Sequence, residues 1–336
     1  MAAEKMVVAR RVIGPFEVSP VGLGCMSLSH AYGTPPDRAV SARLLNEALD
    51  LGHDFLDTAA LYGFGANETL LGEAIGHRRG EYRLASKCGM TGVDGTRVID
   101  GRPGTLRRTI DESLARLKTD MIDLYYLHRW DKKVPIEESV GALGEMVAAG
   151  KVRAIGLSEV SAATLRRAHA VHPIAAIQNE YSPWSRNVEL GVLATARELG
   201  TALVAFSPVA RGFLADAVHG PDDLAQGDIR RGMPRFQSPH IEANLALLDR
   251  FRALAGEAGC TPAQLSLAWV LSRGEHVVAI PGTTSTAHLA ENFAAGAIAV
   301  DRAILDRVDA LFAQGAVSGP RYPAATQAEI DTEEFA

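Results

Sequence analysis

Cysteine is scarce: Cys25, Cys88 and Cys260 are the only three in 336 residues. They are widely spaced, with no C-x-x-C and no Cys/His cluster, which excludes a disulfide framework or a zinc site as the organising device. No segment reaches the ~18 continuous apolar residues of a membrane-spanning helix. The opening MAAEKMVVARR carries scattered charges and no apolar leader segment, so the reading is a cytoplasmic protein with no membrane contact. A basic block is also missing. Lys and Arg number 34 against 40 Asp and Glu, a formal charge of -6, and nucleic acid is not an expected partner. The glycine fingerprint of an open dinucleotide-binding sheet is incomplete too, because GLGCMSLSHAYG offers Gly22 and Gly24 with no third glycine in place. Repeats, low-complexity tracts and linkers that would divide the chain are absent.

What is present is a 47% hydrophobic fraction, enough for a chain of this length to bury most of its apolar surface. It is arranged as short apolar runs alternating with stretches of three-and-four spacing, the pattern of strand, helix, strand, helix. A hairpin is expected across residues 6 to 19. Strands follow at 21 to 26, 53 to 58, 82 to 87, 121 to 128, 152 to 158, 174 to 179, 201 to 207 and 276 to 282. The clearest helix is 103 to 118, where Leu106, Ile110, Leu114 and Leu117 share a face and Pro103 stands near the start. Further helices are expected at 241 to 258 and 301 to 313, with a loop from 207 to 240. Eight doubly buried strands fit a closed (β/α)8 barrel or an open doubly wound sheet, and the missing fingerprint favours the barrel. The expected class is therefore α/β, a (β/α)8 barrel with an N-terminal hairpin and extra C-terminal helices.

In such a barrel the chemistry sits where strands end. Asp57 ends the second strand, Tyr62 lies in the loop beyond it, Lys87 ends the third and His128 ends the fourth. A phenol has an ordinary pKa of ~10 and is a weak acid at neutral pH; a neighbouring ammonium favours the phenolate and lowers that value. A lysine taken out of water needs a carboxylate such as Asp57 to keep its proton. With His128 to orient an oxygen, the set describes a general acid for a carbonyl oxygen becoming an alkoxide. Each residue alone has an ordinary reading: a cap, a packed ring, a solvated strand end, a wall histidine. The four together on successive strand ends carry the argument.

From about Val21 to Asn292 the sequence resembles the aldo-keto reductases. The carrying segments are Gly52 with Asp57, Thr58, Ala59, Tyr62 and Gly63, then Asn67, Glu68, Leu71 and Gly72, then SKCG, DLYYLHRWD, GKVRAIGLSE, IQNEYS and FSPVARGFL. The resemblance implies a barrel over residues 1 to 336 whose bottom is closed by a hairpin within 1 to 20, with a cofactor and substrate loop at 207 to 240 and a C-terminal tail from 315. It implies reversible hydride transfer between NADPH, or NADH, and an aldehyde or ketone. Tyr62 would be the acid, Lys87 would lower its pKa, Asp57 would hold Lys87, and His128 would position the substrate oxygen. Ser158 and Gln178 match residues that grip the nicotinamide carboxamide, with Glu159 where Asn is usual. Phe206 would stack on the ring, and Met26 would also face the cofactor. Ser207, Val209, Arg211 and Gly212 would wrap the pyrophosphate, while Ile280, Gly282, Thr283, Thr284, His288, Glu291 and Asn292 match the adenosine end.

Many NADPH-using relatives carry Lys or Arg at the positions of Thr284, Ser285 and His288, so Arg230, Arg231 or Arg235 is expected to supply charge instead. Trp130, Tyr32 and Trp184, with Met26, are candidates for the substrate wall, and Tyr322 and Pro323 for its cover. The last residues, AEIDTEEFA, read as a frayed acidic tail. A small carbonyl or alcohol is the expected partner and no metal is expected. Two rivals remain at this level: a cofactor-binding regulatory subunit resembling potassium channel beta subunits, and an aldolase in which Lys87 forms a Schiff base.

Overall fold

The computed structural model describes residues 8 to 93 and 96 to 335. The strands are β1 (Arg11–Ile13), β2 (Phe16–Val18), β3 (Leu23–Gly24), β4 (Phe55–Asp57), β5 (Arg83–Cys88), β6 (Met90–Val93), β7 (Thr96–Ile99), β8 (Ile122–Leu127), β9 (Val152–Ser158), β10 (Ile174–Glu180), β11 (Ala202–Phe206) and β12 (Val277–Ala279). All eight expected strands form, as one parallel sheet in the order β3, β4, β5, β8, β9, β10, β11, β12. Its edges meet. Val21 bridges Ala279 and Gly24 bridges Gly282, with Gly24 N donating to Pro281 O at 3.1 Å. A Cβ on Gly24 would stand 2.8 Å from Ile280 O, so the seam needs glycine there.

Alternation along each strand builds two apolar layers. Phe55, Ala85, Leu124, Tyr126, Ala176 and Val204 point into the barrel, where Ile13, Phe16 and Val18 of the β1–β2 hairpin pack with them. Leu56, Leu84, Tyr125, Leu127 and Leu203 point outward against the helices. The expected hairpin is thus found over 11 to 18, and residues 1 to 7 lie outside the described residues.

The helices are α1 (Arg38–Leu51), α2 (Ala66–Ile75), α3 (Pro103–Leu117), α4 (Ile136–Ala148), α5 (Ala162–Val171), α6 (Val192–Leu199), α7 (His240–Glu257), α8 (Pro262–Leu271), α9 (Thr286–Ala294), α10 (Arg302–Leu311) and α11 (Ala324–Gln327). In α3 the apolar face forms as expected, with Leu106, Ile110 and Leu117 buried.

Three features differ from expectation. The antiparallel pair β6–β7 projects beyond β5, where no hairpin was foreseen. Residues 207 to 240 hold four short 3-10 turns. The C-terminal acidic segment is docked, not frayed. Asp331 accepts from Ser161 N at 3.2 Å and from Thr164 Oγ1 at 2.6 Å, while Glu333 accepts from Ala162 N at 2.8 Å. These carboxylates satisfy the free N–H groups at the start of α5, where the helix dipole also favours negative charge.

Candidate active site

The barrel's upper rim gathers the four chemical residues as the strand ends dictated. Asp57 closes β4, Lys87 is the penultimate residue of β5, and His128 follows β8. Tyr62 is brought back over the rim by a tight turn with Gly63, Phe64 and Gly65 all left-handed. That loop is pinned from behind: Asn67 Nδ2 donates to Cys25 O at 2.9 Å and Ser29 Oγ at 2.7 Å, and Thr58 Oγ1 donates to Asn67. Glu68 is buried between Ser86 and Arg116. A Cβ on Gly72 would lie 2.4 Å from Arg116 O, so α2 can approach α3 only through a glycine.

Lys87 is fully buried. Its Nζ donates to Asp57, to Thr58 O at 2.8 Å and to Tyr62 Oη at 3.1 Å. Burial opposes the ammonium, but Asp57 and Tyr62 outweigh it and hold Lys87 above its ordinary value. Burial also raises Asp57 against the pull of Lys87 and Gln178. For Tyr62 the expectation is only partly met: burial pushes the phenol up, Lys87 pulls it down, and the net direction is upward. The phenol therefore stays protonated at neutral pH. His128 is held well below its ordinary value by burial and by the charges of Arg129, Lys87 and Arg97, so its ring is neutral. Its Nδ1 is buried without a hydrogen-bond partner among the described residues; a proton on the other nitrogen, Nε2, avoids a buried orphan donor. The His128 and Tyr62 rings stand edge to face at 5.8 Å.

Beside this group opens a cleft of about 640 Å³. Every residue expected to contact the cofactor, from Met26 to Asn292, lines it, as does Tyr32. The partners of some differ from expectation. Gln178 Nε2 donates to Asp57 at 2.7 Å. Arg211 is buried and bonded to Glu180 at 2.7 Å and to the hydroxyls of Tyr32 and Tyr322 at 3.1 Å each, so its charge is held within the protein.

The substrate wall needs correction. Trp130 is not among the cleft residues; its Nε1 donates to Val134 O at 2.9 Å and Arg167 lies over its ring. Trp184 is also absent from the cleft, its ring tilted 42° against Phe213 at a centroid separation of 3.9 Å and near Phe236. Both rings find apolar neighbours away from the opening. Of the loop arginines, Arg231 and Arg235 are spent on backbone carbonyls of Leu224 and Trp184, and Arg230 reaches the cleft while paired with Asp228.

Sequence reasoning missed Met90, Arg97, Arg129 and Thr326, which line the same opening. For Arg129 the signal was its place directly after His128; for Arg97 it was the Asp-Gly pair between MTGV and TRVI, a two-residue hairpin connection. Glu159, noted as departing from Asn, turns out to be buried against Arg321 at 3.1 Å.

The family model for the aldo/keto reductase family matches residues 20–313. The chain belongs to the aldo/keto reductase family. A curated relative, aldo-keto reductase yakc [NADP(+)] of Schizosaccharomyces pombe, is 41% identical over 332 residues, covering 97% of both chains. Among solved structures, the glycerol dehydrogenase AKR11B4 of Gluconobacter oxydans superposes with a TM-score of 0.82 at 29% identity, over 95% of this chain and 99% of that one. An aldo/keto reductase of Klebsiella pneumoniae in complex with NADP and acetate gives 0.70 at 27%, over 96% and 99%. The barrel of this aldo/keto reductase is thus shared along nearly its whole length.

Proposed function

We propose that this aldo/keto reductase reduces an aldehyde or ketone to the alcohol with NADPH, Tyr62 donating the proton. The observation that carries the reading is Lys87 Nζ seated between Asp57 and Tyr62 Oη at the wall of the cleft. When bound, the nicotinamide supplies the hydride. Tyr62 gives its proton to the carbonyl oxygen, Lys87 holds the phenol oxygen and stabilises charge that develops there, and neutral His128 orients the substrate oxygen.

The cleft fits such a cofactor. Phe206 offers a flat face, Ser158 a hydroxyl, and the loop after β11, left-handed at Ser207, Ala210, Arg211 and Gly212, would wrap the pyrophosphate where Ser207, Val209 and Gly212 line the cleft. Thr283, Thr284 and His288 lie at the start of α9, where free N–H groups favour a phosphate. NADPH is favoured because the fission yeast relative is named for NADP(+). The relatives reported above are reductases and a dehydrogenase, so the channel-subunit alternative is not favoured. Asp57 bonded to Lys87 keeps the ammonium charged, against a Schiff-base role.

We take residues 1 to 336 as one domain, with the hairpin at its floor. The cytoplasm as its compartment rests on the three unpaired cysteines; no helix among the described residues is long and apolar enough to cross a membrane. The test is fluorescence titration with NADPH and NADH, then NADPH oxidation with aromatic aldehydes, quinones and keto-sugars. Tyr62→Phe is expected to lower kcat/KM by about 10²- to 10⁴-fold while NADPH still binds; unchanged turnover refutes the assignment.

A further inference from the structure

Four arginines line the cleft: Arg97, Arg129, Arg211 and Arg230. Arg211 is paired with Glu180, Arg230 with Asp228, and Arg97 with Glu329 of the C-terminal segment. Arg129 differs. It meets no carboxylate among the described residues, and its hydrogen bonds run from Nη1 alone, to His128 O at 2.7 Å and Ser158 Oγ at 3.2 Å. Those two bonds anchor the guanidinium while its Nε–Nη2 edge, the side that pairs two-on-two with a carboxylate, makes no hydrogen bond among the described residues.

We propose that Arg129 is a specificity-determining residue that binds a carboxylate carried by the carbonyl substrate, an inference that rests on the function proposed above. Local charge sets the class. Among the described residues near the reacting group, Lys87 is balanced by Asp57 and Arg97 by Glu329, so the charge left over is the single positive one of Arg129 and a monoanion neutralises it; a phosphate dianion leaves a negative charge unmatched. Among the described residues, Glu291 of α9 is the only carboxylate besides Asp57 that lines the cleft. Position separates this group from the cofactor phosphates: Arg129 follows β8, and the loop proposed for the pyrophosphate follows β11, three strands away in the sheet order, about 14 Å of sheet. Arg129 directly follows His128 and lines the same cleft as His128 and Tyr62, so the carboxylate and the carbonyl of one small substrate share that opening.

The test compares 2-, 3- and 4-carboxybenzaldehyde with their methyl esters as substrates of the full-length protein with NADPH. The expected result is a kcat/KM for at least one acid about 10- to 100-fold above its ester, expressed mainly in KM. In Arg129→Met this ratio falls toward one, and Arg129→Lys recovers part of it, because charge returns without the fork. An acid-to-ester ratio near one for all three isomers in the native protein overturns the proposal, as does a ratio that survives Arg129→Met. Loss of NADPH affinity in Arg129→Met with the ratio intact also overturns it, by assigning the residue to the cofactor. If no aldehyde turns over, the proposed function fails instead, and calorimetric titration with benzoate against benzamide decides the carboxylate site: preference for benzoate that is lost in Arg129→Met supports it, and equal or absent binding refutes it.

Discussion

Removing the Lys87 ammonium separates what that charge does for stability from what it does for chemistry. In Lys87→Met, Asp57 is left fully buried with only Gln178 donating to it, and Thr58 O loses its donor. Breaking a buried ion pair by deleting one partner costs about 3–5 kcal/mol, because the remaining charge is uncompensated, a large share of the ~5–15 kcal/mol that holds a typical domain folded. Burial already raises Asp57, and without Lys87 it rises further. The folded-state value then lies above the unfolded one, so the variant is most stable at low pH and loses stability as pH rises through the folded value.

A second change, Asp57→Asn, removes the stranded charge while Gln178 keeps an oxygen to donate to. The double variant Asp57→Asn/Lys87→Met should recover more than half of the lost stability. Neither variant should recover activity, since no cation remains beside Tyr62 Oη; a loss of about 10²- to 10⁴-fold is expected in both. Urea unfolding followed by tryptophan fluorescence gives the stabilities, and NADPH oxidation gives the rates. A single variant as stable as the native protein at pH 8, a double variant no more stable than the single one, or substantial turnover in either refutes the reasoning.

Two further outcomes follow from the titrating groups. Because His128 is held well below 6.5 and Tyr62 above 10.0, kcat for carbonyl reduction should be flat between pH 6 and 8 and fall only at alkaline pH beyond the ordinary phenol value; a limb centred near neutrality counts against these assignments. Glu180, buried but ringed by Arg211, Arg321 and Arg235, is lowered from 4.5 to about 2. Its stabilisation is complete above pH 4.5 and is lost as pH falls toward 2, so Glu180→Gln should flatten the acid-unfolding curve across that window, and an unaltered curve would show that the cluster contributes nothing there.

Much of the fold was legible because its signals are local. Runs such as ALVAF in β11 and VVA in β12 are apolar on both faces, as strands covered inside and outside must be, and the helix at Pro103–Leu117 shows its face at three-and-four spacing. The chemical residues were legible for a related reason: a strand end is a position in sequence, and in a barrel it is also a position on the rim. The β6–β7 hairpin was missed because MTGVDGTRVI is short and half polar. Trp130 and Trp184 were misplaced because sequence does not say which way a large ring turns, and both turned toward packing.

By itself the sequence determined the order of the eight barrel strands and set Asp57, Tyr62, Lys87 and His128 at or just beyond strand ends, because periodicity and position at a strand end are properties of neighbouring residues. Only the tertiary structure decided how charge is shared around the cleft. Glu159 and Arg321 are 162 residues apart, and Arg97 and Glu329 are 232 apart, so no local pattern announces either pair. Ion pairing is settled by which side chains the folded backbone brings within a few ångströms, and that pairing neutralises Arg97, Arg211 and Arg230 of the cleft and leaves Arg129 without a carboxylate among the described residues.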